Sequence, residues 1–246
     1  MAVRDFSSQR LFLEADLAKG VTIAASAEQS NYLRNVLRLA SGARLLVFNG
    51  RDGEWEATLG HDGRKGASLA IGAQIRVQSD AQDLWYLFAP LKRARLDYMV
   101  QKAVEMGAGR LVPVLTQHTV AERVSLERMR ANVIEAAEQC GVLAVPEVAE
   151  PQRLSPVLEC WDGRRRLIFC DERAAVADPI AALRALTAGP VAVLVGPEGG
   201  FSEAERVAIL ALSVAVPISL GPRIMRADTA AVAVLTLVNA CLGDWR

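Results

Sequence analysis

The sequence has no excess of charge of either sign: 28 Lys and Arg balance 28 Asp and Glu in 246 residues. That argues against a strongly basic chain that coats nucleic acid regardless of sequence, while leaving room for a local basic patch. Histidine is scarce, with only His61 and His118, and the four cysteines, Cys140, Cys160, Cys170 and Cys241, form no C-x-x-C pair. Neither set has the spacing of a zinc site, so no metal is expected. The cysteines read as reduced core thiols. No apolar core of signal-peptide length follows Met1-Ala2-Val3-Arg4-Asp5. The longest apolar stretch, Thr229 to Leu242, is too short and broken for a bilayer and reads as a buried helix. Internal repeats and low-complexity segments are missing. These absences set the expectation of a cytoplasmic, metal-free protein with no membrane partner.

What is present is an ordinary globular composition, 52% hydrophobic and 23% charged, long enough for one large domain or two modest ones. Two rhythms divide it. From about residue 10 to 77 the chain reads as strands and turns. "LLVFNG" and "EWEATL" flank Asn49-Gly50 and Asp52-Gly53, both hairpin signals. "HDGRKG" is another turn, and "SLAIGA" and "QIRVQ" read as two further strands. One helix is expected around "EQSNYLRNVLRL", with Tyr32, Leu33, Val36, Leu37 and Leu39 at mostly helical spacing. "QSDAQD", residues 78–83, reads as a linker. Beyond it, "LWYLFAP", "RLVPVL", "RLIFC", "VAVLV" and "VPISL" are apolar strand candidates alternating with helical patterns. The first helix should bury Leu96, Met99, Val100, Ala103 and Val104, and the second should stop at Gly141. This alternation predicts a mostly parallel sheet covered on both faces.

Two turns invite a function. "VAVLV" runs into Gly196-Pro197-Glu198-Gly199-Gly200, followed by the capping-box pattern Ser202-Glu203-Ala204-Glu205. "VPISL" runs into "GPRIMRADTAAVAVL". In an open α/β sheet ligands bind outside the carboxyl ends of strands, and glycines let a ligand approach the main chain. Neither G-x-G-x-x-G nor the P-loop is present, and Glu198 would repel a phosphate. A cationic or hydroxyl-bearing ligand suits it better. Singly, each charge has an ordinary explanation: Glu198 solvated, Asp228 on the helix dipole, Arg223 and Arg226 in surface ion pairs. Two Gly-Pro turns on adjacent strands look like one site. The run from Asn31 to Arg51 holds Arg34, Arg38, Arg44 and Arg51 with no acid. It reads as a solvated face or a phosphate-contact surface. Lys92, Arg93 and Arg95 form a second basic cluster. Tyr32 could stack on a base, as could Trp55, for which a core position is the other reading.

"LVGPEGGFSEAE" followed by "SLGPRIMRADTAAVAVL" resembles the C-terminal motifs of the SPOUT class of RNA methyltransferases. The RsmE family is the nearest match. "VLRLASGARLLVFNGRDGEWEATL" is similar to its PUA-like domain, and "LKRARLDYMVQKAVEMGAGRLVPVLTQHT" and "EAAEQCGVLAVPEV" to its middle motifs, so the resemblance covers nearly the whole chain. It implies a PUA-like RNA-binding domain at 1–77 and an α/β SPOUT methyltransferase domain with a trefoil knot at 78–246. The implied reaction is methylation of N3 of a uridine in 16S ribosomal RNA of the small ribosomal subunit, using S-adenosylmethionine, by a homodimer. On this reading Leu194, Gly196, Pro197, Glu198, Gly199, Gly200, Leu220, Gly221, Ile224, Met225 and Ala230 hold the cofactor. Arg226 stabilises the charge on the base, Asp228 or Glu198 accepts its proton, and Arg34, Arg38, Lys92 and Arg93 contact RNA. The chain departs from the family in Asp228 for the usual Glu, in "TQHTVAER" without a Lys, and in Val142 for an Arg. A methyltransferase of another RNA, and a non-catalytic ribosome-assembly factor, are the alternatives.

Overall fold

A computed structural model describes residues 8–120, 123–175 and 178–245. The leader reading at Met1-Asp5, and Ala121-Glu122 of "TQHTVAER", lie outside them. The chain divides into two compact units: one runs to Asp80 and takes in Ala137–Val145, the other holds Ala81–Ala136 and Pro146 onward.

The first unit is a five-stranded sheet in the order β1-β3-β4-β5-β2. Its strands are β1 (Arg10–Phe12), β2 (Thr22–Ala24), β3 (Arg44–Phe48), β4 (Glu54–Asp62) and β5 (Gly66–Arg76). "SLAIGA" and "QIRVQ" are one strand, not two. Register shifts against Glu54, Trp55 and Ala57 let β5 bend without breaking. Gly53, at φ +81°, closes the β3–β4 loop where an added Cβ would lie 2.3 Å from the Arg76 carbonyl oxygen. Leu11, Leu33, Leu45, Val47, Leu59 and Leu69 form the core, and Trp55 packs on it while its Nε1–H donates to the Asp52 carbonyl at 2.8 Å.

The expected helix is α1 (Ala27–Asn31), capped by Ser26 and Gln29, and then a π-helical turn, Tyr32–Val36, in which Leu37 N–H reaches the Tyr32 carbonyl at 2.9 Å. The wider turn rotates the side chains away from the predicted stripe. Leu33 is buried and Leu37 and Leu39 pack partly, but Tyr32 and Val36 are exposed.

Glu54 is a buried acid of this unit. Its carboxylate takes Arg10 Nε at 2.6 Å and Arg76 Nε at 2.6 Å. The spare N–H groups of the two guanidiniums hold main chain from 137–145. Arg10 donates to the carbonyls of Ala137, Glu138 and Val142, and Arg76 to that of Gly141.

The second unit is an all-parallel sheet, β12-β10-β11-β6-β7-β8, with β9 also pairing β7. Its strands are β6 (Leu84–Phe88), β7 (Arg110–Leu115), β8 (Glu147–Val148), β9 (Gln152–Arg153), β10 (Arg166–Cys170), β11 (Val191–Val195) and β12 (Ala215–Ile218). The helices are α2 (Arg93–Glu105), α3 (Leu126–Cys140), α4 (Leu154–Glu159), α5 (Pro179–Arg184), α6 (Glu203–Leu210) and α7 (Ala227–Cys241). The predicted face of α2 is the buried one: Leu96, Met99, Val100, Ala103 and Val104. Leu87, Leu167, Phe169 and Leu194 pack with Leu154 and Leu158 of α4 and Ile209 of α6 on one side of the sheet. α7 packs on α2, α5 and β11.

One expectation fails here. β11 and β12 are not neighbours, because β10 lies between them: Ile168 pairs with Val193 on one side and Val216 on the other. Order along the chain does not fix order across a parallel sheet, since a crossover helix can carry the chain past a strand. The cysteines are free, but only Cys241 is fully buried and Cys160 is exposed. Among the described residues no group of His, Cys, Asp and Glu suits a metal, and no helix is long and apolar enough to cross a membrane.

Candidate active site

The buried strand β11 ends at Val195 and the chain turns at once. Gly200 N–H closes the turn on the Pro197 carbonyl at 2.9 Å, with Gly200 at φ +67°. Gly196 leaves no room for a side chain: an added Cβ would sit 2.6 Å from Cε2 of Phe201. That ring is fixed edge-on to Phe169, centroids 5.2 Å apart. Ser202 then caps α6 in a closed box, its Oγ accepting from Glu205 N–H and its own N–H donating to Glu205 Oε2 at 2.9 Å. The second turn leaves β12 through Ser219, Leu220 and Gly221, the last at φ +108°, and α7 begins at Ala227 with Arg226 as its N-cap.

Although β10 separates the two strands, its own carboxyl end, Cys170-Asp171-Glu172-Arg173, joins both turns around one cavity of about 470 Å³. Gly196, Pro197, Glu198, Gly199, Gly200, Leu220, Gly221, Ile224, Met225 and Ala230 line it. Leu194 is not part of the lining: its side chain packs in the core with Leu87, Leu167 and Phe169, and the next residue, Val195, lines the cavity. Arg226 stands between the lining residues Met225 and Ala227, exposed and outside the wall. Asp228, in the first turn of α7, accepts from Thr229 N–H at 2.8 Å and is also outside it.

The wall includes residues that the motifs alone did not single out. Asp171 is buried, its Oδ2 held by Arg206 Nε at 2.9 Å and its Oδ1 accepting from Arg173 N–H at 3.0 Å. An acid at the carboxyl end of "RLIFC" was a readable signal. His118, from the loop after β7, lay within "VLTQHT", but no spacing set it apart there. Although Cys170 as a residue is half-buried, its thiol is shielded enough from water to be pushed up to about 12. Burial, with Cys170 and Asp228 nearby, holds the Tyr86 hydroxyl well above the usual tyrosine range, and it has no hydrogen-bond partner among the described residues. Glu198 is not a free acid: Arg95 Nη1 lies 2.9 Å from its Oε1.

The basic run in the first unit divides. Arg34 donates from Nη1 to the Gly66 carbonyl at 2.6 Å and the Gly63 carbonyl at 3.4 Å, bracing the β4–β5 hairpin. Arg44 pairs with Glu56 and Arg51 with Asp16. Arg38 is exposed, and is the one non-glycine residue at positive φ, +53°, among those described. The hairpin that Arg34 braces carries exposed Arg64 and Lys65 at its tip. In the second unit Lys92 and Arg93 are exposed at the start of α2, whose first turn has no acid.

A family model described as an RNA methyltransferase domain matches residues 78–239, and one described as an RNA methyltransferase PUA domain matches residues 26–72. Fold and site thus define an RNA methyltransferase behind a PUA-like domain. Ribosomal RNA small subunit methyltransferase E of Synechocystis is 30% identical over 242 residues, covering 95% of this chain and 78% of that protein. Its namesake in Rickettsia conorii is 28% identical over 232 residues, 94% of each. The chain belongs to the ribosomal RNA small subunit methyltransferase E family. Among solved structures, one from Legionella pneumophila in complex with SAM superposes with a TM-score of 0.83 at 26% identity, covering 96% of this chain and 99% of that one.

Proposed function

We propose that the chain transfers a methyl group from S-adenosylmethionine to N3 of a uridine in 16S ribosomal RNA of the small subunit, as a cytoplasmic homodimer. Residues 1–77 serve RNA binding and 78–246 the transfer. The observation that carries this reading is the cavity shared by the two glycine turns. Its volume, about 470 Å³, falls within the roughly 300–1,000 Å³ of small-molecule sites. Its donor set fits the cofactor: main-chain groups of 196–200 and 220–225 for adenosine and methionine, Ile218, Leu220 and Met225 for an apolar ring. Glu172 on the wall suits hydroxyls and a sulfonium cation.

When bound, S-adenosylmethionine supplies an electrophilic methyl sulfonium. The chain must make the base a nucleophile, because neutral uridine N3 still carries its proton. Arg226 offers a fork of donors to the charge left on the ring as that proton departs. Asp228 is the better acceptor of the two acids, since Glu198 already pairs with Arg95. Lys92 and Arg93 work against the α2 dipole unless an anion comes to them, which suits an RNA phosphate. In the first unit that role falls to Arg38, Arg64 and Lys65. Ile224, 92% exposed, offers a second copy an apolar contact.

The test is calorimetry with S-adenosylmethionine, joined to mass spectrometry of 16S ribosomal RNA from a strain lacking the gene. The expected results are cofactor binding and one uridine missing its N3 methyl group. Absence of cofactor binding would leave a ribosome-assembly factor. An unchanged 16S RNA with another RNA undermethylated would leave a different substrate.

A further inference from the structure

Glycine turns are costly to hold still, and this one is braced from outside its own strand and helix. The brace is the loop after β7, Thr116-Gln117-His118-Thr119. Thr116 N–H donates to Thr119 Oγ1 at 2.8 Å, which folds the loop on itself. His118 Nδ1 lies 3.1 Å from the Gly199 carbonyl oxygen and 3.2 Å from that of Gly200. Carbonyls only accept, so the imidazole carries its proton on Nδ1 and donates to both. Beside it, Gln117 N–H donates to Glu205 Oε1 at 2.7 Å. The other oxygen of that carboxylate closes the Ser202 capping box. One loop therefore holds the turn at its carbonyls and the start of α6 at Glu205. His118 also forms part of the cavity wall, and it packs so near that a Cβ on Gly199 would lie 3.2 Å from its own Cβ.

We propose that His118 is a positioning residue of the cofactor site, whose Nδ1–H holds the Gly199–Gly200 carbonyls and so fixes the turn before the cofactor arrives. The inference rests on the reading of this cavity as the S-adenosylmethionine site. Preorganisation acts on affinity: a turn already ordered loses less entropy on binding. The contact is a solvent-exposed hydrogen bond from a side chain to main-chain carbonyls, so its effect is modest, and it bears on binding more than on the chemical step.

The experiment compares His118→Phe, which keeps a ring and loses the donor, with His118→Asn, whose amide N–H stands near the place of Nδ1–H. Cofactor affinity is read by calorimetry, methylation by KM against kcat, folding by thermal melting, and the turn by amide hydrogen exchange at Gly200 without cofactor. His118→Phe is expected to weaken S-adenosylmethionine binding by about fivefold, the worth of one net hydrogen bond. KM should change more than kcat, exchange at Gly200 should quicken, the melting temperature should fall by no more than about 2–4 °C, and His118→Asn should recover most of the loss. Wild-type affinity and exchange in His118→Phe would overturn the proposal. So would a loss that follows a lowered melting temperature and that Asn does not repair. If the wild type binds no S-adenosylmethionine while Gly200 exchange still quickens, the brace stands and the cofactor reading falls.

Discussion

Arg95 Nη1 sits 2.9 Å from Glu198 Oε1, so the acid inside the glycine turn is tied to the first turn of α2. The two side chains are 41% and 45% exposed. Pairs this open to water contribute about 0–1 kcal/mol. A double-mutant cycle of Arg95→Ala and Glu198→Ala, read by chemical denaturation, should give a coupling below about 1 kcal/mol that shrinks as salt is added. A larger coupling that resists salt would show the pair to be shielded from solvent.

Gly196 and Gly163 should respond to alanine with opposite signs. At Gly196 the new Cβ meets Phe201, which is held against Phe169, whereas at Gly163 nothing lies within 4 Å. Overpacking at the first costs about 1–3 kcal/mol. The second gains up to about 1 kcal/mol by stiffening the unfolded chain. Gly196→Ala should also weaken S-adenosylmethionine binding, while Gly163→Ala should leave it unchanged. Equal melting temperatures for the two variants would count against this account of the turn.

Arg34 and Arg38, four residues apart, should separate in an RNA-binding assay. Arg38→Ala should lower the log–log salt slope by roughly 0.7 to 0.9 if it contacts one phosphate. Arg34→Ala should chiefly destabilise, since its guanidinium is spent on the hairpin carbonyls of Gly63 and Gly66. A slope lowered by Arg34→Ala alone would reverse the assignment.

Arg226 should matter for the chemical step. Charge develops on the base only as its proton leaves, so a donor placed for it favours the transition state over the bound ground state. Arg226→Ala should lower single-turnover methylation by roughly 10²- to 10³-fold, as for the loss of one preorganised donor. Arg226→Lys should recover only part of this, a point charge being a poor copy of the fork. A normal rate with weakened cofactor binding would move Arg226 into the cofactor site.

Acid should unfold the first unit through Glu54. Burial alone would raise this carboxyl, but the hydrogen bonds from Arg76 and Arg10 outweigh it and hold the group below the usual glutamate value. A depressed carboxyl contributes stability that is full above its unfolded value, about 4.3, and is lost as pH falls through the folded one. Glu54→Gln leaves two guanidiniums without their anion, at a cost of about 3–5 kcal/mol near neutrality. The gap between wild type and variant should narrow in acid, as urea titrations at several pH values would show. A gap independent of pH would mean that Glu54 acts through packing.

The sequence by itself determined what depends on neighbours along the chain. The buried stripe of α2 follows from helical period, the start of α6 from Ser202 and Glu205, and the two turns from their glycines. These are local preferences, satisfied wherever the segment finally sits. Tertiary structure decided the rest. It placed β10 between β11 and β12, so the two turns meet across a third strand, whose Asp171 completes the wall. It packed the Leu194 side chain into the core beside Phe169 and left Val195, at the strand's end, in the cavity wall. A π-helical turn, invisible to a stripe counted at 3.6 residues per turn, left Tyr32 in solvent. Arg34 met carbonyls some thirty residues ahead, and His118 met carbonyls some eighty residues ahead. Contacts across such distances arise only when the sheet has closed, because nothing in the local sequence records which strand will lie beside which.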